Sequence, residues 1–212
     1  LDITWSCMSR VDMVDLEMLK LMKRAGCHQV AFGIESASPE ILRNVRKHLD
    51  LDRAARVARE TRKAGLDLRL MFMFGNPGET LQTMRDTLAL ALRLNPDLFV
   101  FNITVPFPGT EMYGWAKSEG RLLADNWDQY DLSRVILRLD GLSPEQITGF
   151  YRYAYRNAYF RPWFILKWMF KVFRPGELRA MLSNVVFFTK ALWSRGGTEE
   201  KTVSYEMERN ET

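Results

Sequence analysis

Several polar groups in this sequence stand where an apolar run stops, the position at which parallel β/α sheets hold ligands. Arg10 follows Ile3-Thr4-Trp5-Ser6-Cys7-Met8, and Glu35-Ser36 follows Gln29-Val30-Ala31-Phe32-Gly33-Ile34. Gly75-Asn76-Pro77-Gly78-Glu79-Thr80 closes a third run, and Pro106-Phe107-Pro108-Gly109-Thr110 closes a fourth that ends in Asn102-Ile103-Thr104-Val105. A carboxylate at a strand end accepts hydrogen bonds from a ribose or an ammonium group, and a planar guanidinium grips a carboxylate in two parallel bonds. A strand-end glycine lets backbone approach a ligand with no Cβ in the way. Each residue also has a structural alternative. Glu35 competes as a cap or ion pair for the next helix, although Ser38 already fits the cap. Ser36 assists Glu35 or begins the turn. Arg10 binds a ligand or pairs with Glu35 or Asp12. Glu79 reads as a helix-start residue favoured by the dipole, and Asn102 touches a substrate or satisfies a neighbouring strand.

The elements that must position these groups alternate strand and helix. Asp15 caps a helix whose face holds Leu16, Leu19 and Met22 and which Gly26 stops. Ser38 before Pro39 opens a short helical turn, and Asp50 caps a helix from Leu51 to Ala64 ending at Gly65. Leu68–Phe74 makes the third strand. Its helix carries Leu81, Met84, Leu88 and Leu92 on one stripe and stops at Asn95-Pro96, and Leu98–Thr104 makes the fourth strand. Short loops between such elements imply parallel strands with right-handed crossovers. The fold class is therefore α/β: about four parallel strands with helices outside. An arc of a barrel fits better than a complete open sheet, because a strand at the first residue suggests a neighbour upstream.

Composition narrows the chemistry. The 212 residues are 47% apolar, enough for a sizeable core, and hold two cysteines, Cys7 and Cys27, which suits a reducing compartment and a cytoplasmic location. The two histidines, His28 and His48, lend little support to a zinc site or a histidine-based triad. Gly75–Thr80 lacks the Lys-Ser/Thr ending of a phosphate-binding loop, and no G-x-G-x-x-G follows a strand. The Met71 and Met73 pair, alternating with Phe72 and Phe74, reads as packing.

Taken in order, Arg10-Val11-Asp12, Ala25-Gly26-Cys27, Phe32-Gly33-Ile34-Glu35-Ser36, Gly75–Thr80 and Pro106–Thr110 resemble the later part of a radical S-adenosylmethionine (SAM) barrel, from about Leu1 to Tyr130. The branch most similar is the one associated with an upstream cobalamin-binding domain, which includes anaerobic magnesium-protoporphyrin monomethyl ester cyclase and hopanoid-pathway proteins. The resemblance implies a partial TIM-like (β/α) barrel in which a four-iron four-sulfur cluster, held by a CxxxCxxC loop, binds SAM and cleaves it reductively to a 5′-deoxyadenosyl radical. In such a pocket Arg10 would grip the SAM carboxylate and Glu35, assisted by Ser36, would bind the ribose or the ammonium group; the resemblance places Gly75 near the methionine or adenine and the backbone around Thr104 and Val105 against the adenine. No CxxxCxxC occurs here, and Cys7 and Cys27 lie 20 positions apart. The expectation is a fragment, inactive alone, whose cluster ligands belong to an N-terminal part of the same protein. Cobalamin would sit in an upstream domain, and the substrate would be a lipid-like or tetrapyrrole small molecule.

The remainder reads as a basic aromatic extension over 131–195 and a polar, disordered tail over 196–212, following a barrel segment over 1–130. Between Phe150 and Arg195 nine basic residues face Glu177 alone, leaving 21 basic and 25 acidic residues elsewhere, so the net positive charge belongs to the extension. Ser143-Pro144-Glu145 starts its helix. Interleaved Arg and Lys rule out a long apolar span. Packing of the aromatics on the barrel is the first expectation, contact of 150–195 with a membrane surface the second, and nucleic acid a distant third. The alternative to an enzyme is a non-catalytic β/α binding module docked to membrane or partner through this extension.

Overall fold

The four apolar runs become one parallel sheet whose strands stand in chain order, β1 (Trp5–Ser9), β2 (Cys27–Glu35), β3 (Asp67–Phe74) and β4 (Leu98–Ile103). The computed structural model describes residues 3–124 and 126–172. Sequential parallel strands need crossovers of one hand, which put every connecting helix on one face and curl the sheet into an arc. The connections are α1 (Leu16–Arg24), α2 (Pro39–Asn44) with α3 (Leu51–Lys63), and α4 (Leu81–Leu94). The side chains of Asp15, Ser38 and Asp50 cap their helices as expected, accepting from the amides of Met18, Ile41 and Asp52.

The two faces of the arc differ. Along β3, Leu68, Leu70, Phe72 and Phe74 are buried while Asp67, Arg69, Met71 and Met73 are only half-buried. Parallel register carries the buried set across to Phe99, Phe101 and Ile103 on β4 and to Val30 and Phe32 on β2. That face lies under the helices and forms the core. The other face, the concave one, carries Met8, Gly33, Met71, Met73 and Asn102 and stays partly open.

Beyond β4 come α5 (Glu111–Ser118), a 3₁₀ turn (Trp127–Gln129) and α6 (Pro144–Tyr159), which Ser143 and Gln146 start with a reciprocal capping box. The aromatic positions of α6 do two jobs. Phe150 packs edge-on to Phe74 with ring centroids 5.2 Å apart, extending the core. The Tyr155 hydroxyl accepts from the Phe101 amide at 3.2 Å and donates to the Phe101 carbonyl at 3.0 Å. The Tyr159 hydroxyl does the same with Phe99, at 3.1 Å and 2.6 Å. The outer edge of β4 is thus covered by side chains where a fifth strand would pair, and the Ile103 amide donates to the Leu132 carbonyl at 2.6 Å. Replacing both tyrosines by phenylalanine keeps most ring contact and strips the partners from the edge. Urea unfolding should then report a loss of about 2 kcal/mol; unchanged stability would mean that water replaces the hydroxyls without cost.

Two compact units emerge, Leu1–Phe160 and Arg161–Thr212. Of the second, α7 (Pro162–Val172) is described. Sequence reading runs one helix from Ser143 into the later aromatics, whereas α6 ends at Tyr159 ahead of Arg161-Pro162, because the residue before a proline disfavours the helical region. The expectations for 173–195 and 196–212 lie outside the described residues. Among those described, no helix is long and apolar enough to cross a membrane.

Candidate functional site

All the strand-end groups singled out from sequence lie on the rim formed by the C-terminal ends of the strands, in separate clusters. At the exit of β2, Glu35 takes a left-handed φ of 65°, uncommon for a residue with a side chain. This turns its carboxylate back over Gly33 on the concave face: a Cβ on Gly33 would stand 2.3 Å from Glu35 Oε1 and 3.1 Å from Lys47 Nζ. Lys47 donates to Glu35 Oε1 at 3.0 Å, with the two side chains only 29% and 18% exposed. The partner of Glu35 is therefore Lys47, from the loop after α2, and neither Arg10 nor a helix cap. Backbone strain held by a half-buried ion pair at a strand exit is the kind found at ligand sites. Gly33 was visible in sequence as a glycine inside a strand; Lys47 carried no local signal.

Ser36 is completely buried. Its hydroxyl accepts from the Ser38 amide at 3.1 Å and lies 3.2 Å from the Thr87 hydroxyl, joining the β2 exit to α4. Arg10 forms a two-pronged pair with Asp12, Nε to Oδ1 at 2.9 Å and a terminal nitrogen to Oδ2 at 2.6 Å. That guanidinium lowers the Asp12 carboxyl to about 2. The Arg10 and Asp12 side chains are 63% and 45% exposed, so the pair can open toward solvent.

The Gly75 turn is tied to the end of β4. Gly75 adopts φ 80°, which excludes other residues, and its missing Cβ would touch Ile147 of α6 at 3.4 Å. Asn76, fully buried, donates to the Met73 carbonyl at 3.1 Å and accepts from the Thr104 hydroxyl at 2.8 Å, while the Thr104 amide donates to the Phe74 carbonyl at 2.8 Å. Thr104 and Val105 are both buried, 2% and 7% exposed, so this stretch lies beneath the rim surface. Asn102, half-buried, stands on the concave face beside Met73.

Glu79 departs from its sequence reading. Thr80, not Glu79, starts α4, accepting from the Thr83 amide in a capping box. Glu79 turns inward instead, 2% exposed, and its Oε2 accepts from the amides of Gly75 at 2.6 Å and Asn76 at 3.0 Å. Its Oε1 is buried with no partner. Burial pushes this carboxyl up to about 7 against the pull of those amides. The sequence Gly-Glu-Thr ahead of an apolar stripe looks the same whether the glutamate caps a helix or stitches the turn before it, which is why sequence missed it.

The concave face, with the Glu35 carboxylate laid over Gly33 and buried turns beside it, suits the hydroxyl-rich part of a nucleoside. The chain does not suit an iron–sulfur cluster: it has two cysteines, and among the described residues no set of three or more His, Cys, Asp or Glu could hold a metal.

Residues 2–91 match the family model of the radical SAM superfamily. An uncharacterized methyltransferase of Pyrococcus horikoshii is 36% identical over 171 residues, which are 81% of this chain and 37% of the relative. The bacteriochlorophyllide d C-8(2)-methyltransferase of Chlorobaculum tepidum is 23% identical over 88% of this chain and 41% of its own length. The chain thus spans about two fifths of these curated relatives. Among solved structures, coproporphyrinogen III oxidase from Escherichia coli, described as a radical SAM enzyme, aligns with a TM-score of 0.54 at 18% identity, covering 74% of this chain and 32% of that one. That likeness shows the fold, an α/β arc of a TIM-like barrel followed by a helical part.

Proposed function

We infer a function from the premise that residues 2–91 are a radical SAM superfamily segment, and propose that this chain supplies the later strands of a SAM-binding barrel to a longer enzyme. In that enzyme a cluster held by a CxxxCxxC segment outside these 212 residues supplies the electron for cleavage of SAM. The observation that carries the proposal is the Glu35 carboxylate held over Gly33 on the open concave face. Glu35 accepts hydrogen bonds from the ribose hydroxyls of SAM, and Lys47 holds the carboxylate in place. Gly75, Thr104 and Val105, all buried, shape the rim against which the adenine and methionine lie. The Arg10 guanidinium exchanges Asp12 for the SAM carboxylate, an exchange between like groups at an exposed site that costs little. Ser36 acts behind Glu35 by fixing the β2 exit to α4.

The substrate is proposed to be a tetrapyrrole, a reading supported by the methyltransferase of Chlorobaculum tepidum, named for bacteriochlorophyllide. Cobalamin in a separate domain fits the branch that the motifs resemble. The superfamily match favours the enzyme over a non-catalytic module.

Equilibrium dialysis of the chain with radiolabelled SAM tests the ribose contact. Glu35→Gln keeps the shape and removes the charge, and should weaken binding about tenfold, the worth of a hydrogen bond to a charged acceptor. Wild-type affinity in that variant would remove Glu35 from the site. Restoration of cluster assembly and SAM cleavage when a CxxxCxxC-bearing segment is supplied on the same polypeptide tests the larger claim.

A further inference from the structure

Three of the four residues from Asn44 to Lys47 tie the rim together. Asn44 donates to the Pro77 carbonyl at 2.8 Å, Arg46 pairs with Glu111 at 2.6 Å, and Lys47 pairs with Glu35 at 3.0 Å. The loop after α2 therefore reaches the exits of β2, β3 and β4 within a span of Asn44 to Lys47. Beneath it, between the Gly75 turn and α5, lies an open cavity of about 420 Å³, within the range of small-molecule sites. Val45, Pro77, Met112 and Trp115 give it apolar walls, and Arg46 and Glu111 bring its opposite charges. None of these residues has a part in the SAM contacts proposed above.

Two features make this a receiving site. The Arg46 and Glu111 side chains are each 75% exposed, so their pairing contributes little and is readily exchanged. Arg46 sits at φ 53°, a conformation that costs a side-chain-bearing residue, and its guanidinium reaches Glu111 from there. Trp115 is fixed as a wall: its indole N–H donates to Glu119 at 2.8 Å, and the Arg121 guanidinium lies 5.2 Å from its ring centroid. A fixed aromatic wall next to an exchangeable arginine fits a flat apolar ligand that ends in a carboxylate, with Glu111 swinging to solvent as the ligand's carboxylate takes its place.

We propose that this cavity binds the carboxylate-bearing, apolar part of a small-molecule ligand through Arg46. Its identification as a substrate arm rests on the radical SAM reading; the binding itself does not. Ligand-observed NMR titration of the 212-residue chain with 1-naphthaleneacetate, and with the uncharged 1-naphthaleneacetamide, reads it without any SAM chemistry. The acid should bind more tightly than the amide. Arg46→Gln should weaken the acid about tenfold and leave the amide unchanged. Glu111→Gln removes the internal competitor and should tighten the acid several-fold, an effect that a purely structural ion pair does not produce. Equal affinity for acid and amide, or wild-type acid affinity in both variants, overturns the proposal. Loss of SAM binding with intact naphthaleneacetate binding would fail the functional reading and leave this site standing.

Discussion

The chain should lose about 3 kcal/mol of stability as the pH rises from about 4.5 to about 7, and Glu79→Gln should abolish that loss. An unfolded glutamate titrates near its ordinary 4.5, whereas in the folded chain burial raises Glu79 to about 7. Between those values the native carboxyl still holds a proton that the unfolded chain has released, so the folded state is favoured most below 4.5. The advantage drains away as the pH climbs, and above about 7 both states are ionised and the curve is flat. The difference between the two values sets the size, at about 1.4 kcal/mol per unit. Denaturation by urea at several pH values, wild type against Glu79→Gln, isolates the contribution of this one carboxyl. Parallel stability curves for the two proteins would show that the carboxyl titrates normally and that the orphaned Oε1 finds water.

Phe101→Ala should cost about 4 kcal/mol. Phe101 is completely buried, and its ring lies 5.7 Å from Phe72, 5.5 Å from Phe74, 6.1 Å from Phe99 and 5.2 Å from Tyr155. Truncation loses the transfer energy of a phenyl group, leaves a cavity between β3, β4 and α6, and removes edge-to-face and stacked contacts. It also frees Tyr155 from the ring that positions its hydroxyl against the strand edge. Phe101→Leu, which refills most of the volume, should cost well under half as much and keeps the comparison measurable if the alanine variant does not fold. A loss below about 1.5 kcal/mol for alanine would mean that the aromatic stack repacks freely.

Local physics made most of the framework legible from sequence. Capping side chains, glycine stops and apolar runs each act over four or five residues, so Asp15, Ser38, Asp50 and Ser143 located their helices directly. The α4 stripe was read less well. Leu81 and Leu92 are half-exposed, and Thr87 is completely buried, because its hydroxyl is satisfied by the Thr83 carbonyl at 2.9 Å and by the Ala37 amide at 3.0 Å. A polar residue is legible as core only when its partners are known. The same holds for the site. Glu35 was found because a lone carboxylate ending an apolar strand is anomalous by itself. Lys47 and Glu79 were not, since their meaning depends on groups brought to them by tertiary structure. Tyr151, Tyr155 and Tyr159 repeat at helical spacing and signal a stripe, yet nothing local tells that two of the hydroxyls end on the backbone of β4.

The covered edge of β4 has a further consequence for how this sheet can grow. Its amide and carbonyl groups at Phe99 and Phe101 are already spoken for, while among the described residues no strand lies on the far side of β1. A ribbon with one blocked end adds strands in a single direction. For a chain that supplies the later strands of a barrel, that open flank is where earlier strands would pair, so the blocked flank of β4 sets the direction in which the sheet is assembled.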